Sequence, residues 1–511
     1  MPNENRRGGR KQRRGEASNS VQQPSSIQPQ HRFEPLRAVS EDELESIHQA
    51  SLKVLSETGI AFLDETACQQ LADAGAVVKD QQVRFDPEMI AELISTAPSE
   101  FTIHGITPER DFIMGGKWIT YTAVASPPFV TGLGRDRRDG NREDFRNLIK
   151  LTQMLNCLHT TAGYPVEPTD IHASVRHLYA THDAVTLSDK PPFVYSLGRQ
   201  RNIDGMEITR IARGVDQETF NSETSIFSVI NASTPLRYDT VMLHGIQEMS
   251  ARNQAICITP FTLAGAMAPV TVAGALVLQN AEALAGVAYT QLVNPGAPVI
   301  YGGFTSNVDM QSGAPAFGTP EYWKACLIGG QLARRYGLPY RSSNVNAANS
   351  VDAQSMYESV ISIWGAIMGG VNLLLHGAGW LEGGLLASYE KMVIDSDVLS
   401  MVNSMLEPVT VDDSTLAVEA IAEVGPGGHF FGSEHTQERY KTEHFRPMVS
   451  DWRNYESWDE SGRQEAHQRA EKLAKQLIDS HQEPPMEADI RAELDEYLER
   501  RVAEGGVPTD Y

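Results

Sequence analysis

Tyr164, Tyr195, Asn231, Thr259, Tyr301, Asn344, Asn346 and His376 each stand just behind, or at the end of, a short β-rich run. Trp380, Glu382 and Tyr389 follow the last of these closely. The set is rich in rings and neutral polar groups and holds one carboxylate. Glycosidases and Mg²⁺ enzymes need clusters of carboxylates, which this set lacks. Histidines fall singly, H-E-x-x-H is absent, and no metal-ligand spacing occurs, so no metal site is expected. A G-x-S-x-G elbow is also missing. Rings beside a lone carboxylate suit a cationic ligand. A quaternary ammonium has no N–H to donate and is held by cation–π contact and a nearby anion. Glu382 is the candidate anion, with Trp380, Tyr301 and Tyr389 as rings. Ordinary packing of buried Tyr and Trp, and a structural role for His376, remain open from pattern alone.

The elements that must position these residues alternate in type. From about residue 142, β-rich runs such as SIFSVINAS, AICITPFTLAG, APVIYGGFTS, LPYRSSNVN and VNLLLHGAGW each precede a helical run. Seven such repeats, with a strand near Tyr121–Val130 as the eighth, predict an α/β fold of the (β/α)8 TIM-barrel type. The C-terminal strand ends are then the place for chemistry. Neither G-x-G-x-x-G after the early strands nor G-x-x-x-x-G-K-[ST] is present. Before the barrel, Ser40 with Glu43 reads as a capping box, Asp64 as a helix start, and Asp86-Pro87 as another. Two charged amphipathic helices are expected at the end of the chain. The predicted organisation is a disordered basic arm over 1–35, an N-terminal helical cap region over 36–115, the barrel over 116–448 and a C-terminal helical extension over 449–511.

The 511 residues carry 66 acidic and 43 basic side chains, a net charge of −23. That balance argues against nucleic-acid binding. The arm opens MPNENRRGGRKQRRG with no apolar run behind it, unlike a secretory signal. The run LAGAMAPVTVAGALVL is too short, and too broken by Pro, to predict a membrane span. Four scattered cysteines, Cys68, Cys157, Cys257 and Cys326, predict buried thiols and a reducing cytoplasm.

Residues 376–402, HGAGWLEGGLLASYEKMVIDSDVLSMV, resemble the corresponding segment of the trimethylamine methyltransferase family. So do APVTVAGALVLQNAEALAGVAYTQLVNPGAPVIYGG and GLPYRSSNVNAANSVDAQSMYES. The resemblance runs from about residue 36 into the C-terminal helices. It implies a (β/α)8 methyltransferase that moves a methyl group from an amine to the Co(I) of a corrinoid carried by a partner protein. Members that use trimethylamine carry pyrrolysine between motifs like Gly337-Leu338-Pro339 and Asp352-Ala353-Gln354. Here that place falls near Val345 or Asn346, an ordinary residue. The chain therefore looks more like the glycine betaine:corrinoid methyltransferases. Carnitine, γ-butyrobetaine, proline betaine, dimethylsulfoniopropionate and trimethylamine are the alternative donors. A non-catalytic quaternary-amine binding protein is the alternative of another class. The resemblance implies Glu382 as a catalytic residue; His376 stands where the trimethylamine enzymes carry Tyr and, from its strand-end position, is the second catalytic candidate, a donor to a betaine carboxylate. Asn231, Tyr301, Asn344, Asn346, Trp380 and Tyr389 are the expected substrate-binding residues, and Arg341 a possible ionic partner. A homo-oligomer is expected.

Overall fold

The computed structural model describes residues 21–24 and 27–509. The basic run of the N-terminal arm lies outside the described residues. At the centre is a six-stranded, wholly parallel sheet. Its strands are β1 (Thr120–Ala123), β2 (Phe227–Ile230), β3 (Ala255–Ile258), β4 (Val299–Gly302), β5 (Tyr340–Ser343) and β6 (Leu373–Ala378), paired in the order β1-β6-β5-β4-β3-β2. β1 lies beside β6, so the first strand meets the last, and the alternation read in the sequence yields an α/β fold with helices outside.

Two further expected strands are reduced to single parallel bridges, Thr122 to Thr160 and Phe193 to Phe227. The reason is local chemistry. Pro165, Pro191 and Pro192 have no N–H to give a ladder. Side chains substitute: Thr160 Oγ1 donates to Pro191 O at 2.6 Å, and Ser228 Oγ to Val194 O at 2.6 Å.

Along the sheet, side chains alternate between an interior cluster and the helical shell. Ala125, Ala162, Phe193, Phe227, Cys257, Ile300, Leu373 and Leu375 form the interior cluster. It is closed at the N-terminal ends of the strands by a hairpin, Glu100–Ile103 paired with Phe112–Gly115, which inserts Ile103, Phe112 and Met114. His104 N–H to Thr224 O (2.8 Å) and Ile106 N–H to Asp189 O (2.9 Å) fasten this plug.

The expected N-terminal caps form. Ser40 and Glu43 bond reciprocally at the start of the Glu41–Lys53 helix, and Asp64 and Asp86 cap Glu65–Asp73 and Pro87–Ser95. Glu41–Lys53 and Pro87–Ser95 pack on the outer Val272–Val293 helix, so the region covers a flank. That helix is the only one among the described residues long and apolar enough to cross a bilayer, and 78% of its most apolar stretch is buried in the fold.

The structure departs from the predicted boundaries twice. The described part of 21–35, expected to be disordered, is docked: Gln28 Nε2 donates to Ile113 O at 2.7 Å while Gln28 Oε1 accepts from Ile113 N–H at 3.0 Å. Gln23 does the same between Met154 O and Asn156 N–H. A polar segment is ordered here because glutamine amides complete backbone bonds that strands would otherwise make. Secondly, the helix Tyr389–Leu406 ends the sheet-packing part of the chain. Residues 407–447 then form short helices with almost no buried side chains, exposing Val409, Val411, Val418, Ile421 and Phe431. The C-terminal helices Ala466–Ser480 and Ala488–Ala503 fold back onto the shell, the latter through Arg501 Nε to Asp204 Oδ1 at 2.9 Å.

Candidate active site

A cavity of about 590 Å³ opens at the C-terminal ends of the strands. Each wall comes from the residues that follow or end a strand: Ala125 and Ser126 after β1, Asn231 after β2, Thr259 and Phe261 after β3, Phe304 after β4, Arg341 in β5, His376 in β6 and Trp380 behind it. Tyr195, two residues past the Phe193 bridge, completes the circuit.

The rings form one continuous group. Phe261 and Phe304 lie 4.9 Å apart between centroids, and Phe304 lies 6.2 Å from His376 and 6.3 Å from Trp380. His376 and Trp380 are stacked at 5.2 Å with planes 11° apart. Phe317 packs edge-on behind Trp380 at 5.4 Å. Gly384 permits this arrangement: a Cβ there would sit 2.7 Å from the Trp380 ring, and its φ of +100° disfavours any side chain.

His376 reaches the cavity through a break in the strand. By strict alternation it would follow Leu374 to the shell, because Leu373 and Leu375 face the interior. The register shifts between Leu374 and Ala378, and His376 takes a left-handed φ of +54°. The bulge re-aims its ring. The ring's Nδ1 lies 3.2 Å from Ser343 Oγ, and its backbone N–H donates to Thr122 Oγ1 at 3.1 Å. Burial, then the adjacent Arg341, hold its pKa well below the ordinary histidine range, so the imidazole is neutral near pH 7. Behind the loop, Gly379 N–H donates to Asp395 Oδ2 at 2.9 Å. Asp395 is ion-paired with Lys391, both side chains fully buried, and Lys391 Nζ also donates to Ser359 Oγ at 2.8 Å.

The sequence-derived candidates divide by position. Asn231, His376 and Trp380 line the cavity, with Arg341. Tyr301, Asn344, Asn346 and Tyr389 are buried outside its wall. Tyr301 OH donates to Asn280 Oδ1 at 2.8 Å in the helical shell. Asn344 Nδ2 donates to Gly377 O at 2.9 Å, and Asn346 Nδ2 to Trp380 O at 2.6 Å, so both brace the loop that carries Trp380. Tyr389 OH donates to Asp144 Oδ1 at 3.0 Å. Glu382 stands at the rim in the turn Glu382–Gly384, bound by Arg137, while its neighbours Gly383 and Gly384 line the cavity. Phe261 and Phe304 were not among the candidates. The signal available for Phe304 was an aromatic residue directly after the strand-ending Gly302-Gly303.

Among the described residues no group of three or more His, Cys, Asp or Glu side chains is placed to hold a metal ion. All four cysteines are free, and burial pushes the thiols of Cys157, Cys257 and Cys326 up to about 11.

A glycine betaine methyltransferase of Desulfitobacterium hafniense (strain Y51) is 35% identical over 469 residues, covering 92% of this chain and 98% of the relative. Trimethylamine methyltransferases MttB of Desulfitobacterium hafniense (strain DSM 10664 / DCB-2) and Methanosarcina thermophila are each 27% identical, covering 92% and 90% of this chain and 95% and 96% of their own. The crystal structure of the hydroxylamine MtmB complex superposes with a TM-score of 0.51 at 12% identity, covering 88% of this chain and 90% of that one, a likeness of fold. The sequence profile of trimethylamine methyltransferase (MTTB) matches residues 6–506. The chain belongs to the trimethylamine methyltransferase family and is a methyltransferase.

Proposed function

We propose that this enzyme takes a methyl group from glycine betaine and delivers it to the Co(I) of a corrinoid held by a partner protein. The observation that carries the reading is the ring-walled cavity at the strand ends, built from Phe261, Phe304, Trp380 and His376. A trimethylammonium group is held there by the faces of the rings. The greater identity to a glycine betaine methyltransferase than to the two trimethylamine methyltransferases supports the choice of donor.

The acceptor supplies the electron pair that forms the new bond to the methyl carbon, and the C–N pair stays on nitrogen. Dimethylglycine leaves as a neutral amine, so no proton has to be delivered to it. The chain's task is to orient the N–CH₃ bond toward the mouth and to keep water out, terms that can be large. Trp380 and Phe304 hold the ammonium, Asn231 supplies an amide at the wall, and neutral His376 offers a ring N–H without adding positive charge. Glu382 acts from the rim by fixing the turn beneath Trp380.

The corrinoid protein docks over the mouth in this reading. Exposed Val270, Met310 and Leu385 near that face suit a protein partner. We assign the bridges at Thr160 and Phe193 as the two remaining positions of a (β/α)8 barrel. The exposed apolar arm 407–447 supports a homo-oligomer, and four unpaired thiols suit the reducing cytoplasm that a Co(I) acceptor requires. The cavity volume also admits longer betaines such as carnitine or γ-butyrobetaine.

The test is a Co(I)-cobalamin assay with a panel of betaines and trimethylamine, reading methylcobalamin absorbance. Glycine betaine should give the largest kcat/KM. No methylation from any donor would leave a binding protein instead.

A further inference from the structure

We propose that Arg341 is the anion-binding residue of the cavity and takes the carboxylate of a zwitterionic donor, so that this one side chain selects carboxylated quaternary amines over bare ones. The proposal rests on the donor reading above and deepens it.

Arg341 is 2% exposed, in β5, with its side chain on the interior face. Its neighbours Tyr340 and Ser342 face the shell, where Tyr340 OH donates to Cys326 O at 2.9 Å and Ser342 Oγ lies 3.2 Å from Cys326 Sγ. A buried guanidinium carries five N–H donors and normally finds a carboxylate. Here Nη1 donates to Gly303 O at 3.2 Å, and Nε has no partner. Among the described residues no acidic side chain pairs with it. The groups around it are neutral: thiols of Cys257 and Cys326 and phenols of Tyr322 and Tyr340, all raised by burial, and the unprotonated His376.

The carboxylates near the strand ends are already engaged. Asp395 is paired with Lys391 and Glu382 with Arg137, and Glu358 accepts from the Ala347 and Ala348 N–H groups and Gln354. Two arginines line the cavity; Arg237 is exposed to solvent, whereas Arg341 is an uncompensated positive charge in a place water hardly reaches. An anion brought by the ligand would satisfy it, with a charge-assisted bond stronger than its neutral equivalent.

The spacing fits a short zwitterion. The guanidinium carbon lies 5.0 Å from the centroid of Phe304, and Phe304 also contacts the Phe261 and Trp380 rings. Anion and ammonium subsites thus share one ring, as a donor with one or a few carbons between its charges requires.

The test uses the full chain, as wild type, Arg341→Gln and Arg341→Lys, with folding checked by circular dichroism. Calorimetry is run with glycine betaine and, as probes lacking the carboxylate, tetramethylammonium and choline. Arg341→Gln should weaken glycine betaine binding by roughly a hundredfold, the size expected on removing one member of a buried charge pair. Affinity for the two probes should hold or rise, and Arg341→Lys should recover part of the loss. In the Co(I) assay the deficit should sit in KM more than in kcat. Equal weakening of all three ligands, or unchanged glycine betaine binding, overturns the proposal. If Arg341→Gln fails to fold, the wild type still decides: tetramethylammonium binding as tight as glycine betaine is fatal to it. Arg341-dependent binding without methylcobalamin would uphold the subsite and defeat the methyl-transfer reading. Methyl transfer with an unchanged KM in Arg341→Gln would do the reverse.

Discussion

The Nε of Arg137 lies 3.0 Å from both carboxylate oxygens of Glu382. Arg137 sits on the strand Arg135–Asp139, with its guanidinium 3.6 Å above the Phe129 ring. Glu382 has a left-handed φ of +51° and hydrogen-bonds through its N–H to Ala348 O. The rim turn is thus locked from a distant part of the chain, and the charge of Glu382 is already balanced.

If Glu382 works through this lock, Glu382→Gln and Arg137→Met should lower kcat/KM by similar factors, on the order of tenfold each, and the double variant should be no worse than either single one. If Glu382 instead met the ammonium directly, Arg137→Met would strengthen donor binding. Steady-state kinetics on the three variants separates these outcomes.

Trp380→Leu should weaken glycine betaine and tetramethylammonium alike, by about thirtyfold, the size of a desolvated cation–π contact. This pattern is the opposite of that expected for Arg341, and the same calorimetry reads both. Loss confined to glycine betaine would place the ammonium elsewhere.

Lys391→Met leaves Asp395 buried and unpaired beneath Gly379. A cost of about 3–5 kcal/mol is expected in urea unfolding. Replacing both members by apolar residues should cost less, because neither charge is then stranded. A single variant as stable as the wild type would show that the pair is dispensable.

Acid should destabilise the fold partly through His159. Burial lowers its pKa to about 3, and its Nδ1 accepts the Tyr121 N–H at 3.0 Å. The unfolded chain binds this proton below about pH 6.5 and the folded chain does not. Stability from this group is complete above that pH and falls by about 1.4 kcal/mol per pH unit between 6.5 and 3. His159→Gln should flatten the acid limb of a stability–pH curve by that slope; an unchanged limb would refute the assignment.

Local signals were legible in the sequence wherever one stretch of chain contains the whole cause. The Ser40–Glu43 box, the Asp86-Pro87 start and the succession of strands are of this kind. The phase of each strand was not. Tyr301 and Ile300 are adjacent, yet Ile300 faces the interior and Tyr301 the shell, and period two alone does not say which. Arg341 lies on the favoured phase of β5 by the same undetermined choice. His376 reaches the cavity only because a bulge breaks the alternation. The docking of residues 27–35 was hidden because its polar composition matches that of a free tail, and its bonds depend on partners eighty or more residues away.

The hairpin fills the N-terminal end of the strands, so the cavity's door lies at their C-terminal ends. A bulky acceptor cannot share that door with a small molecule in transit. If a corrinoid protein seats itself over that mouth, as proposed, the donor enters before it and the demethylated amine leaves after it. On that proposal turnover follows a compulsory order, and product inhibition would show it.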